Sequence, residues 1–170
     1  MKRKIQALCC ALAVSLPTSS VAEITVDRFT GDVTCDGTMI LNENSHSGHL
    51  VMGRFRYLKI DGDYHGPFLL LNVTSSNPVG LANGDANFLL TGSDDTITRF
   101  RGEVISSSGS GPREIVSYSF DDAQAAEEAF ASAIKVEYRL NGQRGNFLGS
   151  MNASIVKLSL GVCSEKNWPE

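Results

Sequence analysis

The stretch Ile134–Gly142, IKVEYRLNG, carries the clearest structural signal in this 170-residue chain. Apolar and charged side chains alternate along it, which is the period of a half-buried β-strand. The apolar positions are Ile134, Val136, Tyr138 and Leu140. Asn141-Gly142 then offers the positive φ angles of a two-residue type I′ turn. The pattern therefore predicts a β-hairpin with a return strand from Gln143 to about Leu148.

The residues before this hairpin predict a helix. Asp121 and Asp122 precede Ala123–Ala133, a segment rich in alanine and glutamate. Carboxylates at a helix start accept bonds from free backbone N–H groups and complement the helix dipole, and alanine favours helix. We expect one principal helix, at about residues 122–133.

Strand signals dominate the rest of the chain. The extended candidates are Ile24–Phe29, Val33–Leu41, Leu50–Ile60, Phe68–Thr74, Phe88–Thr91, Thr96–Ser106 and Ile115–Phe120. Asn77–Asn87 reads as a loop and Ser106–Pro112 as a flexible connection, because glycine, serine and proline interrupt regular structure there. Ser150–Cys163 fits either a strand or a short helix, and β-branching with Gly161 favours the strand.

These elements predict an α+β, mainly β domain of seven to nine strands. The sheet is expected to be a single antiparallel sheet, arranged as a sandwich or a partly open barrel.

Residues 1–22 have the layout of a secretory signal peptide. Met1–Lys4 is basic, Ile5–Leu16 is apolar, and small residues lead to Ala22. We expect cleavage near Ala22, which leaves residues 23–170 as a single domain in the periplasm or outside the cell. No second apolar run is long enough to cross a bilayer.

Cleavage of the predicted signal peptide determines which cysteines remain in the exported chain. Cys9 and Cys10 fall within this leader, so the exported chain keeps Cys35 and Cys163. An oxidising compartment favours their pairing, against two free thiols or an intermolecular bond. The alternative of a lipoprotein anchored at Cys9 or Cys10 is disfavoured, because too little apolar sequence precedes either cysteine.

The net charge of the mature chain limits the kinds of partner it is expected to bind. The leader contains three of the 15 basic residues and none of the 19 acidic ones, so the mature chain has twelve cations, 19 anions and a net charge of −7. No basic block lies outside the leader, which excludes nucleic acid as an expected partner.

All three histidines fall within a short span and are candidate metal ligands, namely His46, His49 and His65. Imidazoles with the nearby Asp61 and Asp63 are ligand types for zinc or copper. However, an extended Leu50–Ile60 would span roughly 36 Å and hold the two groups apart. We therefore expect no metal or other cofactor, and keep a small metal-dependent hydrolase as an alternative.

Arginines alternate on two predicted strands and form a candidate binding stripe. The residues are Arg54, Arg56, Arg99 and Arg101. If the two strands pair, four guanidinium groups share one face and can receive a carboxylate, a phosphate or an acidic partner. The opposing interpretation is a solvated sheet face whose charges are balanced by nearby carboxylates.

Several segments of the chain match features of one known family. They are Phe29-Thr30-Gly31-Asp32 before Cys35, Ile60-Asp61-Gly62, and the order of helix, hairpin and closing segment from Phe120 to Cys163. In these features the chain resembles small proteobacterial periplasmic proteins of the invasion-associated locus B type. A tryptophan after Asp32 and the further cysteines of that family are missing. The resemblance implies a secreted, disulfide-bearing, β-rich module with an accessory or host-interaction role and no catalytic residues to transfer.

The sequence thus favours an exported binding or accessory protein over an enzyme. Its expected partner is a protein or a small anionic ligand, contacted through the arginine stripe or the loop Asn77–Asn87. An inhibitor or immunity protein is a further alternative.

Overall fold

The computed structural model describes residues 23–45, 49–110, 112–164 and 168. The predicted signal peptide and His46 lie outside these residues. Ten strands are present in the described part of the chain: β1 (Glu23–Val26), β2 (Val33–Asp36), β3 (Ile40–Ser45), β4 (Leu50–Ile60), β5 (Asp63–Thr74), β6 (Ala86–Thr91), β7 (Ile97–Ser110), β8 (Arg113–Phe120), β9 (Lys135–Gly142) and β10 (Gly145–Met151). The helices are α1 (Ala123–Ser132), α2 (Ala153–Ser164) and a short 3-10 helix (Leu81–Asn83).

Eight of the strands close into an antiparallel barrel. Their order is β4-β3-β10-β9-β6-β7-β8-β5, and β5 pairs back onto β4. Strand β2 pairs with the second half of β4, and β1 extends the sheet outward from β2. The mainly β, α+β prediction is confirmed, and the ten strands exceed the seven to nine expected.

The predicted strand Val33–Leu41 is divided into β2 and β3. The break begins at Gly37, where the chain passes directly against α2. A Cβ atom on Gly37 would lie 2.0 Å from the backbone oxygen of Ser159, so only glycine allows this approach.

Aromatic side chains fill the barrel interior. Phe130 of α1 packs edge-on against Phe55 and Phe88, with ring centroids 5.2 and 5.5 Å apart, and is tilted against Phe120 at 5.6 Å. All four rings are buried. Helix α1 thus closes the core, and the predicted helix is confirmed with Asp122 as its N-cap, accepting from the backbone N–H of Ala125 at 2.9 Å.

The strand favoured over Ser150–Cys163 is wrong from Ala153 onward, and the described part of the chain has two α-helices where one principal helix was expected. The Asn152 side chain accepts from the N–H groups of Ser154 and Ile155 and begins α2. The buried positions have helical spacing: Val156, Ser159, Leu160 and Cys163. Leu158, which lies between them, is half exposed at 50%. None of the helices in the described ranges is long and apolar enough to cross a membrane.

The hairpin β9–β10 exists, but its turn is two residues later than predicted. Gly142 pairs with Gly145, so Gln143-Arg144 forms the turn. Asn141 stays in β9, where its backbone N–H donates to the Asp85 carbonyl at 2.9 Å. Long-range contacts thus override the local turn signal.

The predicted flexible connection Ser106–Pro112 is also wrong for most of its length. Strand β7 continues to Ser110, because Ser106–Ser110 pairs with Arg113–Ser117 of β8. Ladder hydrogen bonds hold this serine- and glycine-rich segment extended.

Candidate functional site

The two cysteines meet between β2 and α2. Their sulfur atoms lie 2.08 Å apart and their Cα atoms 5.8 Å apart, which is the geometry of a disulfide. The sequence separation is 128 residues, so a bond here links the two ends of the domain.

The predicted arginine stripe is divided between two sides of the barrel. Arg54 and Arg56 lie on β4, whereas Arg99 and Arg101 lie on β7. Strand β4 pairs with β2, β3 and β5, and β7 pairs with β6 and β8, so the two arginine pairs are not neighbours. The four side chains therefore do not form one surface.

Arg54 and Arg56 share one carboxylate. Asp36, whose side chain is only 10% exposed, accepts from Arg56 at 2.6 and 2.7 Å and from Arg54 at 3.2 Å. The hydrogen bond to Asp36 raises the pKa of Arg56, an effect that burial opposes. Both arginines of this pair are therefore bound by a carboxylate of the same chain.

The other arginine pair has a different environment. Arg101 forms an ion pair with Asp85 at 2.8 Å. Within the described ranges, Arg99 forms no ion pair with a carboxylate, and it is exposed. Arg99 is therefore the predicted binding residue whose charge remains available to a ligand.

Arg99 lines a groove on the outer face of β6, β7, β9 and β10. The groove has a volume of about 840 Å³. Its charged residues are Arg99, Lys135, Glu137 and Arg139, and its two leucines are Leu89 and Leu148. We call this surface the outer groove. Its volume lies in the range of small-molecule sites.

The outer groove is formed by side chains of four strands, on which successive residues point alternately to the two faces of the sheet. On β6, β9 and β10 the inward-facing side chains Phe88, Tyr138 and Phe147 are buried, and the charged and leucine side chains of the groove lie on the opposite face of the sheet. Across the ladder, Leu89 lies opposite both Arg99 and Glu137, and Leu148 lies opposite Arg139. Each arginine thus lies next to an exposed leucine.

Charge in the outer groove is positive on balance. Three cations face one carboxylate, Glu137, which pairs with Lys135 at 3.0 Å. Arg139 donates to Asn146 at 2.8 Å once the Asn146 amide is oriented to satisfy both of its polar atoms. A neutral amide leaves the Arg139 charge uncompensated, so the groove has two excess positive charges in a chain of net charge −4.

A second cavity of about 600 Å³ lies beside the loop predicted to make contacts. Its charged residues are Asp85, Arg101 and Glu103. The pKa of Asp85 is lowered, mainly by the hydrogen bond from the Asn141 side chain and also by the charge of Arg101. Burial of the carboxylate opposes this shift. Because Asp85 is already bound by Asn141 and Arg101, this cavity offers a ligand less unpaired charge than the outer groove.

The loop itself is fixed to the barrel. The Glu114 carboxylate accepts from the N–H groups of Val79 and Leu81 at 3.0 and 2.8 Å. Gly142 lies against the same loop, and a Cβ atom there would come within 2.6 Å of the Val79 backbone oxygen. The predicted contact role of Asn77–Asn87 stays a prediction.

The two described histidines lie far apart. His49 immediately precedes β4, and His65 pairs with Leu58 near the other end of the strand, about 30 Å away at the usual rise. Burial lowers the pKa of His49, which Glu114 opposes, and the ring packs on Phe147 with centroids 3.9 Å apart. Among the described residues, no group of three or more histidine, cysteine, aspartate or glutamate side chains has metal-site geometry.

Sequence reasoning missed Lys135, Arg139, Leu89 and Leu148 as site residues. The sequence predicted a charged face on Ile134–Leu140, but the residues beside that face depend on which strands pair with β9. The signal that could have found the groove is an exposed leucine beside arginine on adjacent strands.

Comparisons of the chain with protein-family models, with curated proteins and with solved structures gave no match.

Proposed function

We propose that this chain is an exported, non-enzymatic binding or accessory protein whose recognition site is the outer groove. The observation that carries the proposal is the combination of an uncompensated Arg99, Arg139 and two exposed leucines in one cavity of about 840 Å³. Polar groups that fix orientation, placed beside apolar surface, are typical of ligand sites. An accessory role is also what the resemblance to the invasion-associated locus B type implies.

Export to the periplasm or the medium is part of this proposal. The basic, apolar and small-residue segments of residues 1–22 support it. Mass spectrometry of the protein recovered from the bacterial periplasm tests it. We expect a chain that begins at Glu23 and is two hydrogens lighter than the reduced form, whereas a retained leader or two alkylatable thiols would contradict export and oxidation.

Ligand binding through the groove is tested by a thermal-unfolding screen. The compounds are sugars, nucleotides, short acidic and basic peptides, and short- and medium-chain fatty acids. A ligand at 100 times its Kd stabilises the folded state by about 2.7 kcal/mol, which raises the melting temperature measurably.

The groove variant is Arg139→Gln with Leu148→Ser, and the matched control is Arg28→Gln on the exposed β1–β2 turn. We expect at least one compound to raise the melting temperature of the wild type and the control by several degrees, and to leave the groove variant unchanged. If no compound shows this dependence on the groove, the proposal is wrong.

A further inference from the structure

We propose that the outer groove takes a single soluble molecule with an anionic head and an apolar tail, such as a medium-chain carboxylate or an alkyl sulfate or phosphate. This inference rests on the proposed function and specifies the ligand class of the same site.

The head is recognised by the arginines. Arg99 forms no ion pair within the described part of the chain, and Arg139 contacts only the neutral Asn146 among the polar groups described above. Guanidinium groups bind carboxylate and phosphate oxygens through paired N–H donors. Lys135 adds a third cation, although Glu137 already compensates it.

The tail is recognised by the leucines. Leu148 is 54% exposed and Leu89 is 36% exposed, and each lies directly across the ladder from an arginine. Strand β9 separates the two leucines, so a tail that covers one of them removes apolar surface from water while the head stays within reach of the adjacent guanidinium group. Head and tail subsites are thus adjacent, so one small molecule can occupy both.

An extended peptide fits this surface less well. Strands β6 and β9 are hydrogen-bonded on both sides, β6 by β7 and β9, and β9 by β6 and β10. No backbone edge remains on either strand for a peptide to extend the sheet, so the main-chain affinity of β-augmentation is lost here. The binding must come from side chains, which suits a small ligand.

A bilayer surface also fits less well. The chain has a net charge of −4 with its leader and −7 without it, so anionic headgroups repel the molecule as a whole. Arg101, which lies on the same face of β7 as Arg99, is already paired with Asp85 and adds no unpaired positive charge beside the groove. The geometry points to a free amphiphile and not to a membrane.

Isothermal titration calorimetry of the full mature chain tests the ligand class. The probes are octanoate, acetate as the head alone, and 1-octanol as the tail alone. We expect octanoate to bind at least tenfold more tightly than either fragment. Arg139→Gln and Leu148→Ser are each expected to weaken octanoate about tenfold, and Arg28→Gln to leave it unchanged.

Co-sedimentation with phosphatidylglycerol vesicles is the second arm, and we expect no binding. Vesicle binding that is lost in Arg139→Gln would overturn the free-ligand assignment, and acetate binding as tight as octanoate would overturn the tail subsite. If octanoate fails but a peptide or sugar in the thermal screen stabilises the protein through the groove, the ligand class is wrong and the proposed function stands. If neither experiment depends on the groove, both are wrong.

Discussion

Two sides of the barrel carry arginines in the same Arg-x-Arg pattern and use them differently. On the disulfide side, formed by β2, β4 and α2, Arg54 and Arg56 bind the buried Asp36 next to Cys35. On the groove side, Arg99 of β7 lies three strands away from β4 around the eight-stranded ring, beside a leucine, and has no carboxylate partner in the described chain. The difference comes from the neighbouring strand, which supplies an aspartate in one case and a leucine in the other.

This contrast assigns different consequences to mutation. Changes on the disulfide side should lower stability and leave ligand binding intact. Changes on the groove side should weaken ligand binding and leave stability nearly unchanged, because exposed side chains contribute little to folding.

The largest expected effect is on the disulfide side. Replacing Cys35 and Cys163 by serine removes a link across 128 residues. In the chain-entropy model the loss is about 5 kcal/mol of unfolding free energy, because the unfolded chain regains its freedom. Urea unfolding followed by circular dichroism measures it, and a loss below about 1 kcal/mol would show that the pair is not bonded in the native protein.

Asp36→Asn should have the next largest effect. It leaves two partly buried guanidinium groups without their carboxylate, which we expect to cost about 1–3 kcal/mol. Asp63→Asn, on the exposed start of β5, is the matched control and should change stability by less than about 0.5 kcal/mol. Equal effects for the two variants in urea unfolding would remove Asp36 from its structural role.

We expect a smaller, pH-dependent effect at Asp85, which lines the second cavity. Its pKa is lower in the folded state than in the unfolded chain, mainly because Asn141 donates to the carboxylate. The stabilisation is therefore present at neutral pH and is lost as the pH falls below about 4. Asp85→Asn should destabilise the protein at pH 7 by less than about 1 kcal/mol, since the carboxylate is partly exposed to solvent, and the difference should shrink at pH 3. A difference that grows on acidification would contradict this assignment.

The groove variant should have the smallest effect on folding. Arg139→Gln with Leu148→Ser alters exposed side chains, so we expect the unfolding free energy to change by about 0.5 kcal/mol or less. Urea unfolding at pH 7 measures this change. A loss comparable to that of Asp36→Asn would mean that these residues support the fold and are not free for a ligand.

The elements that could be predicted from the sequence are those whose signals lie within a few neighbouring residues. Alternation over Ile134–Leu140 predicts β9, and the carboxylates before Ala123 predict α1, because period and capping act within a few residues. Helix α2 was missed, since the same apolar residues fit two periods and the choice is made by packing of Val156 and Leu160 on the barrel.

Only part of the candidate site could be predicted, because local sequence patterns do not determine which strands are neighbours. Arg99 was identified from its strand, but its true neighbours Leu89 and Arg139 follow from the order β7-β6-β9, which no local pattern encodes. The partner of Arg54 and Arg56 was missed in the same way, because Asp36 becomes their neighbour only when β2 pairs with β4.

The most direct measurement is octanoate affinity and urea stability determined side by side for two variants, Arg139→Gln with Leu148→Ser on one side and Asp36→Asn on the other. The account predicts that the groove variant loses affinity at native stability, whereas Asp36→Asn loses stability at native affinity. If both variants lose affinity only in proportion to lost stability, the two sides do not have separate roles and the account is contradicted.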